Sequence, residues 1–266
     1  MDVEVTTATY GKAGVRILSW PDGDHGASRV RDAVVDVQVE GQFLDSFLLG
    51  DNRAVLPSDT FRRHVLSEAG SHPDAPIEAV LDRVSASLLS ANPALSAVTL
   101  TAALQPWVAV GQRTYVRSPW QRLARVRSAR DCSPERTGGL QGLSVLATGG
   151  SAFTGFLRDA LTIQVEATDR PLCGTLGGEW SYAFEDLPAA GVPGEIVDRI
   201  IATFADRPSN AVQQLLTETA TSVLLATPGL ATLTLHFESQ PTTAVALAYE
   251  VSGAPLGITE VTVRRP

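Results

Sequence analysis

Residues 9–43 read TYGKAGVRILSWPDGDHGASRVRDAVVDVQVEGQF. Two runs inside this stretch, TYGKAGVRILSW at 9–20 and DAVVDVQVEGQF at 32–43, alternate apolar and polar residues and are rich in β-branched side chains. That is the period-two pattern of half-buried strands. PDGDHGASRVR between them supplies turn chemistry. Two helical runs follow. PSDTFRRHVLSEAG at 57–70 starts at a capping residue, Ser58 or Asp59, and places Phe61, Val65 and Leu66 on one face. APIEAVLDRVSASLLSA at 75–91 places Ile77, Val80, Leu81, Val84 and Leu88 at helical spacing. ALSAVTLTAAL at 94–104 and RTYVRSPWQRLARV at 113–126 return to strand character. The order is ββααββ.

After SARDCSPERTGG at 128–139 the order recurs. LQGLSVLATGG and the region of GEWSYAFEDL read as strands. PGEIVDRIIATFAD and NAVQQLLTETATSVLLAT read as helices. LATLTLHFES, TTAVALAYEV and ITEVTVRR read as strands. The chain therefore divides into two units, 1–136 and 137–266, alike in architecture with little residue identity. Hairpins around consecutive helices point to an α+β fold, antiparallel sheets with helices on one face. Such sheets leave edges that are blunted or paired with another subunit.

Composition excludes several function classes. Hydrophobic content of 44% and charged content of 19% describe a globular chain. A net charge of −8 argues against a general nucleic-acid binder, and the arginines of 113–130 read as the solvated face of a strand. Cys132 and Cys173 form no disulfide framework, and His25, His64, His72 and His236 show no metal-ligand spacing. No signal peptide or membrane-length apolar run is visible, so the expectation is a cytoplasmic protein. No dinucleotide fingerprint or P-loop occurs; TGGLQGLSVLATGGSAFTGF reads as a linker, a strand and a tight turn.

Lys12 is the only lysine beside twenty arginines. A guanidinium is permanently charged, whereas an ammonium can lower its pKa and serve as a base. Its context, YGKAGVRIL at 10–18, resembles the first strand of the urate oxidase (uricase) family, which carries a catalytic lysine. GDNRAVLPSDTFRRHV at 50–65, GLQGLSVLATGGSAFTGFLRDALTIQVEATDRPL at 139–172, SNAVQQLL at 209–216 and APLGITEVTVRRP at 254–266 resemble further segments of that family, in order. The resemblance implies two tandem tunnelling-fold units assembling into a barrel-like homotetramer. It also implies oxidation of urate by O2 as co-substrate, with no cofactor and no metal. It assigns Lys12 and Ser58 to a base dyad, with Asp59 following. Phe153 becomes the stacking aromatic, Arg170 the grip on the carbonyl edge, and Val212 with Gln213 the grip on the amide edge. The sites would lie between subunits. The residue types suit the task. An aromatic face takes a flat ring, an Arg fork takes an acceptor edge, and Gln offers one donor and one acceptor. Lysine accepts a proton through a hydroxyl.

The chain departs from the family where the family has an Asn-x-His motif. LHFESQPTTAV at 235–245 places Ser239 at the Asn position, as an oxygen or water site, and Pro241 at the His position. Proline relays no proton. The family's lysine in VLKSTGS is Ala147. His236, three residues before Ser239, faces the other side of a strand. Three functions stay open. They are a divergent oxidase of urate or a related oxopurine; an enzyme for another purine-like or pteridine-like heterocycle in a biosynthetic pathway; and a non-catalytic homologue.

Overall fold

A computed structural model describes residues 4–20, 30–183, 192–205, 208–240, 242–245, 248–251, 253 and 257–265. The chain forms two compact units, Met1–Gly138 and Gly139–Ala183 with Gly191–Pro266. The first contains β1 (Thr9–Ser19), β2 (Arg31–Gly41), α1 (Leu44–Leu49), α2 (Ser58–Ser71), α3 (Ile77–Ala91), β3 (Leu95–Leu104), β4 (Trp107–Ala109), β5 (Tyr115–Arg117) and β6 (Gln121–Ala129). The second contains β7 (Glu135–Phe153), β8 (Ala167–Tyr182), α4 (Val192–Ala205), α5 (Val212–Ala226), β9 (Leu230–Gln240), β10 (Thr242–Val245), β11 (Ala248–Val251) and β12 (Gly257–Arg264). The sheet orders are β1-β2-β3-β6 and β7-β8-β9-β12. The pairings β1–β2, β2–β3, β3–β6, β8–β9 and β9–β12 are antiparallel, so the fold is α+β.

In the first unit Val15, Ile17, Val35, Val37 and Val39 alternate onto one sheet face and meet Phe61, Val65 and the Ile77–Leu88 stripe of α3. In the second, Leu172, Leu176, Trp180, Leu233, Leu235 and Phe237 are buried, as are Ile196, Ile200, Phe204, Leu215 and Val223 of α4 and α5. Burying each such side chain contributes roughly 1.5–3 kcal/mol.

The two units share a residue-level device. Arg130, just past β6, donates to the carbonyls of Leu89, Asn92 and Leu95. Arg265, just past β12, donates to those of Leu224, Thr227 and Leu230. Every member of the second set lies the same number of residues after its counterpart. Each guanidinium satisfies orphan carbonyls where a helix ends and the next strand begins.

Several expectations change. Neither Ser58 nor Asp59 caps α2: Pro57 is the N-cap, in extended conformation, and no side chain makes the capping bond. Ser58 is already helical, so its short hydroxyl is not aimed back at the free amides. The strand expected over 113–126 is two, β5 and β6, broken at Ser118–Pro119 because proline has no amide for a ladder. The region of GEWSYAFEDL is strand as expected over 178–182, the end of β8, and residues 184–187 lie outside the described residues. TTAVALAYEV is a small hairpin, β10 with β11. The arginines of 113–130 are partly structural ties. Arg122 pairs with the buried Glu78, and Arg127 pairs with Glu40 at 3.1 Å. No helix among the described residues is long and apolar enough to cross a membrane.

Candidate active site residues

The YGKAG segment is shaped by its glycines. A Cβ at Gly11 would overlap the Val37 carbonyl oxygen across the ladder. The register slips between Lys12 and Val15. This bulge contains Gly14 at φ 74°, a conformation that costs an L side chain about 1–2 kcal/mol. The Gly14 amide donates to Asp36 Oδ1 at 2.7 Å. Bulges re-aim side chains. Tyr10 and Lys12 pair with Val39 and Val37, both buried, so both stand on the helix-facing side of β1.

Tyr10 then ties the strand to the loop before α2. Its hydroxyl oxygen accepts the Leu56 amide at 2.8 Å, and its ring packs on Phe43 and Phe61. Burial raises the Tyr10 pKa, partly offset by the bond from Leu56. Lys12 lies two residues from Tyr10, and Ser58 two residues from Leu56. The Tyr10–Leu56 bond thus links the segment that carries Lys12 to the one that carries Ser58. Lys12 is half-buried and Ser58 exposed. Asp59, in the first turn of α2, is exposed and paired with Arg63 at 2.9 Å.

The second unit gathers the other residues. Phe153 ends β7, and Arg170 lies near the start of β8. The Arg170 guanidinium carbon sits 5.1 Å from the Phe153 ring centroid. Phe156 stacks on Phe153 with centroids 4.7 Å apart and planes 13° apart. Arg170 Nε is buried without a hydrogen-bond partner, and burial lowers the pKa of this guanidinium. A partly desolvated cation with an unmade donor is a site for an acceptor. Val212 and Gln213 open α5, whose N-cap Ala211 makes no side-chain cap bond. Gln213 is exposed.

These elements are bound together by bonds the sequence reading missed. Gly150, at φ 82°, donates to Asp169 Oδ1 at 2.6 Å. The Gly150 carbonyl accepts the Ser209 amide at 2.9 Å, and the Ala152 amide donates to the Ser209 carbonyl at 2.8 Å. The segment leading into α5 is thereby stapled to the end of β7. The Gly149–Gly150 pair was the available signal, since adjacent glycines in a strand mark a bulge or a close approach.

Ser239 lies on β9 between Gly174 and Gly257, on the helix-facing side with Phe237. Gly174 is four residues along β8 from Arg170, roughly 13 Å at strand rise. The Ser239 hydroxyl donates to the Gly257 carbonyl at 3.3 Å. His236 faces the opposite side, its ring over Gly177. Pro241 lies outside the described residues. Among the described residues no three His, Cys, Asp or Glu side chains gather as a metal set.

Residues 136–262 match the family model described as Uricase. The chain is similar to uricases over most of its length. It is 29% identical over 245 residues to a uricase of Haloferax volcanii, covering 82% of this chain and 78% of that one. It is 28% identical over 264 residues to a uricase of Halalkalicoccus jeotgali, covering 90% and 85%. The uricase structure from Arthrobacter globiformis superposes with a TM-score of 0.91 at 24% identity, over 100% of this chain and 96% of that one. That likeness shows that the two chains share a fold.

Proposed function

We propose that this chain is an oxidoreductase that oxidises urate or a closely related oxopurine with O2 and no cofactor. The observation that carries the reading is the Phe153–Arg170 pair: an aromatic face beside a partly desolvated guanidinium whose Nε lacks an acceptor. A flat, acidic oxopurine supplies both a ring to stack and a carbonyl edge to accept. Val212 and Gln213 take its amide edge from the uncapped start of α5.

Lys12 is the base in this reading, drawing a proton from the bound monoanion through the Ser58 hydroxyl, with Asp59 beside it. The resulting dianion gives two electrons to O2, which takes up two protons and leaves as peroxide. Water then adds to the oxidised ring. Lys12 and Ser58 of one copy work with Phe153, Arg170 and Gln213 of another in a homotetramer. Ser239 stands at the oxygen or water position.

The Ser239 hydroxyl is engaged by Gly257. This favours a second reading, in which the same site takes another purine-like or pteridine-like heterocycle. Purified protein incubated with urate in air distinguishes the two. Loss of the near-ultraviolet urate band with peroxide release is the expected result. An unchanged band sinks urate oxidation, and binding of 8-azaxanthine without turnover of urate supports the second reading.

A further inference from the structure

We infer that Asp169 is a positioning residue that sets the spacing between the stacking face and the amide-edge grip of the candidate site. The inference rests on the function proposed above. Three recognition elements converge on this one carboxylate. Arg170 follows it directly in β8. Gly150, whose amide Asp169 accepts at 2.6 Å, lies three residues before Phe153. Through its carbonyl Gly150 holds Ser209 at 2.9 Å, three residues before Val212, and Ala152 returns a second bond to the Ser209 carbonyl at 2.8 Å.

Local geometry is arranged around this bond. Gly150 has φ 82°, which turns its amide toward Asp169, and Gly149 leaves room for the carboxylate. A Cβ at Gly149 would stand 3.1 Å from Asp169 Oδ1. Side chains do not replace the link. Ser151 and Ser209, at the parallel bridge, are buried and their hydroxyls have no hydrogen-bond partner. Backbone bonds join Ser209, just before α5, to the end of β7, and the charge-assisted bond from Gly150 to Asp169 anchors them. The Arg170 pKa is lowered by burial alone. Asp169 is the acceptor of the Gly150 amide.

Asp169→Ala, Asp169→Asn and Gly149→Ala separate these roles. Asparagine keeps the acceptor oxygen without the charge. Asp169→Ala should raise KM for urate about tenfold with kcat within about threefold, since misplacing binding groups weakens recognition first. Asp169→Asn should restore KM to within about threefold of the wild-type value. Gly149→Ala, which crowds the carboxylate, should shift KM in the same direction as Asp169→Ala. Amide hydrogen exchange of peptides covering 149–153 and 208–213, measured on the intact proteins, should rise in Asp169→Ala and not in Asp169→Asn. An Asp169→Ala protein with unchanged KM and unchanged exchange overturns the inference, as does an Asn variant as impaired as the Ala variant. If the wild type does not turn over urate, the functional reading fails, while the exchange experiment still decides the positioning role.

Discussion

The first strands of the two units carry the same device to different ends. In the first unit Gly14, at positive φ, gives its amide to Asp36 on the neighbouring strand; in the second, Gly150 gives its amide to Asp169. Around Gly14 the helix-facing side carries Tyr10 and Lys12, and the Tyr10 ring and hydroxyl fill the layer against Phe43, Phe61 and Leu56. In the second unit Val145 and Ala147 precede Gly150 on β7. There a groove of about 590 Å³ opens, lined by Leu143, Val145, Ala147, Ile201, Phe204 and Leu215. Under the proposed function, one glycine–aspartate bond aims a base, and the other holds a recognition segment. The difference teaches that a repeated scaffold keeps its backbone anchors while the side chains beside them specialise.

The largest test of this division is Lys12→Arg. Under the proposed function it lowers kcat for urate about a thousandfold, because a guanidinium does not give up its proton. Affinity for 8-azaxanthine, measured by calorimetry, should stay within a few-fold. A variant that retains full turnover removes Lys12 from the proton-transfer role.

Next in size are the paired arginines. Arg130→Ala and Arg265→Ala should each cost about 2 kcal/mol in urea unfolding, since each strips its guanidinium from three carbonyls. Unequal losses would break the equivalence of the two units at these junctions.

Gly14→Ala and Gly150→Ala probe the shared device and carry the smallest expected effect. Each should cost about 1–2 kcal/mol of stability from the positive φ alone, because nothing stands within 3.4 Å of either added Cβ. Their kinetic signatures should diverge: Gly14→Ala lowers kcat by misaiming Lys12, whereas Gly150→Ala raises KM. Identical signatures in steady-state assays would dissolve the contrast.

Much of the fold was legible in local pattern. The β1 and β2 alternation and the Ile77–Leu88 stripe are burial patterns written within one element, and each apolar position named there is buried. The α1 turn, the β4–β5 hairpin and the β10–β11 hairpin were not read, although Pro119 signals the break after β5. At the site, residue types could be assigned by resemblance, but the bonds that group them could not. The partner of Gly14 lies on another strand, and the partner of Gly150 lies beyond a long connection.

The sequence by itself determined the ββααββ order of each unit, the faces that are buried and the presence of one lone amine in an arginine-rich chain. These follow from periodicity and composition, which act between near neighbours. Only the tertiary structure decided that Tyr10 ties β1 to the loop before α2 through Leu56, and that Asp169 holds Gly150, which in turn holds Ser209 before α5. Those links are hydrogen bonds between residues far apart in the chain, and their geometry exists only once the strands have paired and the bulges have turned the amides toward their acceptors.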